Sequence, residues 1–151
     1  APFGWQPTWT DAQTGAARIV DAYLTLTNQI CQHPDDISSV EWFKVTTEPQ
    51  YMKDMNWDLD YSLRGYYATG DVIAEWRTVS EEQTADNGRQ EITITQCEDG
   101  SAMTGFTADG QVRPPDPTNP VPERNVQVYT VQFVDYVGDW RVADLRREGQ
   151  C

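Results

Sequence analysis

The chain has 151 residues, a formal net charge of −13 and 38% hydrophobic content, with six Trp and seven Tyr adding large apolar area. That length is one domain, able to bury about 70% of the surface its unfolded chain exposes. The acidity excludes a nucleic-acid role, because neutralising phosphates takes a basic surface, and it opposes docking on anionic lipid. No run of about 18 apolar residues occurs, so the sequence contains no membrane span.

Residues 1–10 read as an extended aromatic arm with Pro and Gly breaks, and residues 11–151 as the single domain. The chain opens Ala1-Pro2 without Met, as expected of a processed product, and a lipid anchor on a removed upstream Cys would leave no trace in it. Thr10 is an N-cap with Gln13 three residues on, a capping box. The helix it starts runs to about Gln32, with Ala16, Ile19, Val20, Tyr23, Leu24, Thr27 and Ile30 at helical spacing. His33-Pro34 stops it, since the residue before proline is pushed out of the α region.

A shorter helical piece follows, with Ile37, Val40, Trp42 and Phe43 as its apolar residues. Beyond Pro49, the apolar residues Tyr51, Met52, Met55, Leu59 and Leu63 fall on roughly one face of a third helix, which Gly65 would end in a left-handed cap. From Gly70 the period changes to two. Residues 71–83 read as a strand, Asp86-Asn87-Gly88 as a turn and 89–97 as the antiparallel return, with a weak strand at 103–107. Residues 113–123, RPPDPTNPVPE, hold five prolines and form a stiff extended loop. The last stretch, 126–151, is a hairpin turned by Gly138-Asp139. In its first strand Val126, Val128, Val134 and Tyr136 point one way, and Tyr129, Val131, Phe133 and Val137 the other. A strand apolar on both faces lies mid-sheet or offers one face to a partner. The hairpin 126–136/140–147 is therefore expected within the sheet rather than at a free edge.

Three cysteines allow three single pairings. A cysteine at the last position has no packing role of its own, and Cys97, at a strand end, is its best partner. Such a bridge would stabilise by about 4 kcal/mol in the chain-entropy model, and it implies an oxidising, extracytoplasmic compartment. Cys31, in the first helix, reads as a small buried hydrophobe.

Helices first and antiparallel strands after is the order of an α+β domain, its N-terminal helices packed on one face of a curved antiparallel sheet. The leading amphipathic helix, two short helices and long strands ending in GDWRVADLRREGQC resemble the small extracytoplasmic proteins, often lipoproteins, of the SnoaL-like (nuclear transport factor 2-like) fold in high-GC Gram-positive bacteria. In that group a mid-chain strand ends in Cys before acidic residues, as in Cys97-Glu98-Asp99. A terminal Gly-x-Cys like Gly149-Gln150-Cys151 recurs, with a W-x-V strand like Trp140-Arg141-Val142 between them. The resemblance implies a cone between helices and sheet, for which Tyr66, Tyr67, Trp76, Tyr129, Phe133 and Trp140 are the candidate lining. Enzymes of that fold place an Asp or His with a Tyr inside the cone. In this chain Arg77 and Asp135 are strand residues able to point inward.

Catalytic and metal motifs are otherwise lacking. His33 is the single histidine and serves a helix end rather than a dyad. Asp58-Leu59-Asp60 begins like a calcium loop but has Leu63 where Gly is required and Thr69 where a bidentate Glu belongs, so these carboxylates read as solvated. No Gly-rich phosphate loop, GxSxG or HExxH occurs, and no cofactor is implied. The leading reading is a non-enzymatic, secreted or surface-tethered accessory protein. It would bind a protein partner, or a second copy of itself, through Val126, Val128, Val134 and Tyr136 on the sheet face. The alternatives are a small-molecule binder or enzyme using the aromatic cone, and a subunit of a larger assembly such as a virion or respiratory complex.

Overall fold

The computed structural model describes residues 1–117 and 122–151. Within the proline-rich stretch 113–123, positions 118–121 lie outside the described residues. The architecture is α+β, with helices packed against antiparallel sheet.

Helix α1 (Asp11–Gln32) begins in the expected capping box, Thr10 and Gln13 exchanging hydrogen bonds, and ends at His33. It buries Ala16, Ala17, Ile19, Val20, Tyr23, Leu26, Ile30 and Cys31, so Leu26 takes the place expected of Leu24. The second piece is a 3-10 helix, Ser39–Lys44, of which only Trp42 is buried. Helix α2 (Gln50–Leu63) is followed by Gly65 at φ +69°, the left-handed position a glycine fills most readily.

The orientation of α2 departs in part from the expectation: Tyr51 and Met55 pack on the core as read, but its fully buried side is largely polar. Its buried residues are Gln50, Asp54, Asp58 and Tyr61, while Met52, Leu59 and Leu63 are exposed, Leu63 at 87%. Apolar spacing marks a helix, but which side faces inward depends on the partners it meets. The inner side of α2 meets hydrogen-bond donors as well as the apolar core.

Among the described residues seven strands follow: β1 (Tyr67–Thr69), β2 (Ile73–Val79), β3 (Gln83–Thr84), β4 (Gln90–Asp99), β5 (Thr104–Phe106), β6 (Arg124–Val134) and β7 (Asp139–Gln150). The main sheet runs β2-β4-β6-β7, with β3 pairing β4 beyond the end of β2, and β1-β5 form a two-stranded sheet. Every strand pairing is antiparallel. The turn between β6 and β7 spans residues 135–138 rather than two residues, with Gly138 at φ +70°. Amides of Val137 and Gly138 bond back to Val134, which closes the chain into a wider turn and leaves Asp135 and Tyr136 outside the ladder. Tyr136 is thus a turn residue, and Asp135 points to solvent.

The terminal hairpin is partly at a sheet edge, not wholly inside. β6 is interior and β7 is the last strand. The edge is blunted by residues 45–50: Val142 donates to the Val45 carbonyl, Thr47 donates to the Val142 carbonyl, and Leu145 donates to Oε1 of Gln50. Covering an edge in this way removes the unpaired backbone groups that would template aggregation.

One main core holds the layers together. Ile92, Ile94, Tyr129, Val131, Trp140 and Val142 from the sheet meet Ala16, Val20, Tyr23, Leu26 and Ile30 of α1, with Trp42 closing one side. Gly15 lets α1 sit against Trp140, since a Cβ there would lie 3.0 Å from the indole Cδ1. The N-terminal arm packs on the body: Phe3 N–H donates to Asp21, its carbonyl accepts from Arg77, and Trp9 touches the core.

The disulfide joins Cys97 to Cys151, with Cα atoms 6.0 Å apart. Cys31 is a buried free thiol beside Tyr61 and Ala68, and burial pushes it up to about 11.

Candidate functional site

Two places gather chemistry, one sealed and one open. The sealed one is the interior between α1, α2 and the sheet. Tyr23 donates to Oδ1 of Asp54 at 2.9 Å, and Gln50 Nε2 donates to the same oxygen at 3.1 Å. Oδ2 of Asp54 is buried with no hydrogen-bond partner. Trp42 Nε1 donates to Asp58 at 3.0 Å. Across the interior, Tyr129 and Gln96 both donate to Oε2 of Glu98, and Arg77 donates to Gln96 and to Asp21. The rings of Tyr23 and Tyr129 meet edge to face, centroids 5.6 Å apart, so the two tyrosine–carboxyl pairs adjoin.

Burial governs the protonation of this cluster. Removing a carboxylate from water disfavours its charge, which raises Asp54 to about 6 and raises Asp58 and Glu98 as well. Both tyrosines are pushed well above their ordinary value, first by burial and then by the adjoining carboxyls. The arrangement resembles an acid–base site in composition, but Tyr23, Asp54, Glu98 and Tyr129 are each at least nine-tenths buried, and none lines the grooves found on the surface. It acts as a hydrogen-bonded polar core, each group satisfied except one oxygen.

The sequence reading missed Tyr23, Asp54, Glu98 and the burial of Asp58. Asp58 is not solvated, whereas Asp60 is exposed and paired with Arg64. Arg77 does point inward, its side chain fully buried. A faint signal existed, since Gln50, Asp54, Asp58 and Tyr61 recur at helical spacing.

The six aromatic candidates for a cone lining do not share one pocket. Tyr129 and Trp140 are core residues, and Phe133 packs edge to face on Trp140. Trp76 pairs with Cys97 on the opposite sheet face and is 42% exposed. Tyr67 stacks on Phe106, and Tyr66 lies between Tyr61 and the Arg113 guanidinium. Among the described residues, no group of three or more His, Cys, Asp or Glu side chains is placed to hold a metal ion.

The open place is a groove of about 740 Å³ on the sheet face turned away from α1, at its β6–β7 end. Val134 and Arg141 form its floor, and the stacked pair Phe43–Tyr51, centroids 4.1 Å apart, forms one wall. Tyr136 and Val137 of the β6–β7 turn rise beside it, and Asn87 and Arg89 close it from the β3–β4 turn. Phe43 is 56% exposed and Tyr136 82%. Arg141 is fixed by bonds to the Phe43 and Trp140 carbonyls, which ties the wall to the floor. Of the four interface candidates, Val134 and Tyr136 line this groove. Val128 is buried and Val126 half-buried, farther along the same strand, so the four do not form one exposed stripe.

No family model matches the sequence, and no curated protein matches it. Among solved structures, the chain is similar in fold to the intermembrane space region of the chloroplast protein ARC6. The TM-score is 0.59 at 13% identity, covering 94% of this chain and 99% of that one. At that identity the likeness concerns the arrangement of elements alone.

Proposed function

We propose that this chain is a non-enzymatic, extracytoplasmic protein-interaction domain whose partner seats in the groove between Phe43–Tyr51 and the β6–β7 turn. The observation that carries the reading is the aromatic set of exposed Phe43 and Tyr136 with half-buried Tyr51 around an open groove with a fixed floor. Large exposed aromatics with polar rims are the residues that anchor protein interfaces.

The disulfide supports a compartment outside the reducing cytoplasm. The helix-then-sheet order and the Cys97–Cys151 pairing support the SnoaL-like, extracytoplasmic assignment, which is part of this proposal. The sealing of the tyrosine–carboxyl cluster favours binding over catalysis, because a substrate must reach the reacting groups.

A random peptide library displayed on phage and selected against the native protein tests the groove. Peptides enriched on the wild type should lose binding at least tenfold to Phe43→Glu and keep it for Trp76→Ala, which alters the same sheet face far from the groove. Equal binding to Phe43→Glu, or no enrichment, would overturn the reading.

A further inference from the structure

Resting on that reading, we infer a control of the groove: the charge on Asp54 sets the seat of the first turn of α2 and, through Gln50, the position of the Tyr51–Phe43 wall. Gln50 is shared between two sites. Its Nε2 donates to Oδ1 of Asp54, and its Oε1 accepts from the backbone N–H of Leu145 in β7. The next residue, Tyr51, stacks on Phe43 in the groove wall. One side-chain amide thus joins a buried carboxyl, the covered edge of the sheet and the groove.

Asp54 is placed to be sensitive to its own ionisation. It is 7% exposed, its Oδ1 already accepts two bonds, and its Oδ2 has no partner. Below its midpoint the proton belongs on Oδ2, and losing it leaves a buried anionic oxygen with no donor, among the least favourable groups a protein can hold. Burial raises this carboxyl to about 6, between the ordinary carboxylate range and neutrality.

The groups around it set the direction. From α1, the Tyr23 hydroxyl favours the anion by donating to it. On α2 itself, Gln50 and Lys53 favour the anion and Asp58 opposes it. Lys53 is partly committed to Asp144 of β7 at 3.2 Å. From β4 and β6, Glu98 and Tyr129 meet Asp54 only through Tyr23. Burial outweighs the donors. As pH rises through about 6, the buried charge appears at a cost to the folded state while the Gln50 bond to Oδ1 tightens, so the Gln50 side chain and the wall beside it change their seat.

Amide NMR of the full chain between pH 5 and 7.5 tests this without any partner. The Tyr51 and Leu145 amides should titrate together with a midpoint near 6, tracking the Asp54 side-chain carboxyl carbon. In Asp54→Asn both amides should be flat, and in Asp58→Asn they should still titrate. Gln50→Leu supplies a second variant: Asp54 should still titrate, with the two amides no longer following. Flat amides in the wild type, or titration that persists in Asp54→Asn or in Gln50→Leu, would overturn the inference. None of these results depends on peptide binding, so the groove reading stands or falls separately.

Discussion

A buried carboxyl makes stability a function of pH, and Asp54 is the residue where this is most direct. In the unfolded chain an aspartate releases its proton near pH 4, whereas folded Asp54 keeps it to about 6. The folded state therefore binds the extra proton in between. The stabilisation is fully present below the unfolded value and is lost as pH rises through the folded one. Asp58 and Glu98, raised by the same cause, act in the same direction. Urea unfolding should give a wild type less stable at pH 7.5 than at pH 4.5, with Asp54 contributing about 2 kcal/mol of the difference. Asp54→Asn should remove that share. An unchanged pH dependence in the variant would contradict the assignment. None of this was legible in the sequence, because an acid on a helix reads as solvated until its partners are known. Here those partners, Tyr23 and Trp42, come from other elements.

Among the elements, α1 was legible in all but the choice of Leu26 over Leu24 for its buried side, and α2 was less so. The capping box, most of the apolar stripe and the His33-Pro34 stop are local features, and they appear where the sequence placed them. The existence of α2 was equally local, but its facing is tertiary. A polar side forms four directed hydrogen bonds inward, while Met52, Leu59 and Leu63 remain outside. Denaturation of variants separates the two orientations. Leu59→Lys and Leu63→Lys should change stability by no more than about 0.5 kcal/mol, as exposed positions do. Asp58→Ala, which strips the buried Trp42 indole of its acceptor, should cost about 1–3 kcal/mol. The reverse ranking would restore the apolar-inward helix. The strand pairing was legible where turns marked it, at residues 86–88, and less so at the last hairpin. There Gly138 was placed correctly but the turn proved longer, with Tyr136 freed to line the groove.

At the level of the whole molecule, the Cys97–Cys151 bridge ties the chain's end to the middle of the sheet, closing 54 residues of separation. It was legible because Cys97 lies near the end of a strand just before a turn and Cys151 follows the last strand. Cys151→Ser should lower stability by about 4 kcal/mol in the chain-entropy account. Non-reducing peptide mapping should find residues 97 and 151 cross-linked, with Cys31 alkylated only after unfolding, given its burial. Three thiols open to alkylation in the native protein would remove the case for an oxidising compartment.

The groove was legible only in fragments. Val134 and Tyr136 were on the sequence's list of interface residues, but Phe43 and Tyr51 come from a segment that wraps the β7 edge, and no periodicity places them there. The central claim is that this composite groove, and not the threonine-lined remainder of the sheet face, receives a protein. Site-specific photo-crosslinking in the cells that make the protein tests it most directly, with benzoylphenylalanine placed at Tyr136 and, separately, at Thr78. A discrete adduct from position 136, absent from position 78 and lost when Phe43→Glu is added, is the expected result, and its mass tells a foreign partner from a second copy. Adducts from position 78 alone, or from both positions regardless of Phe43, would contradict the account.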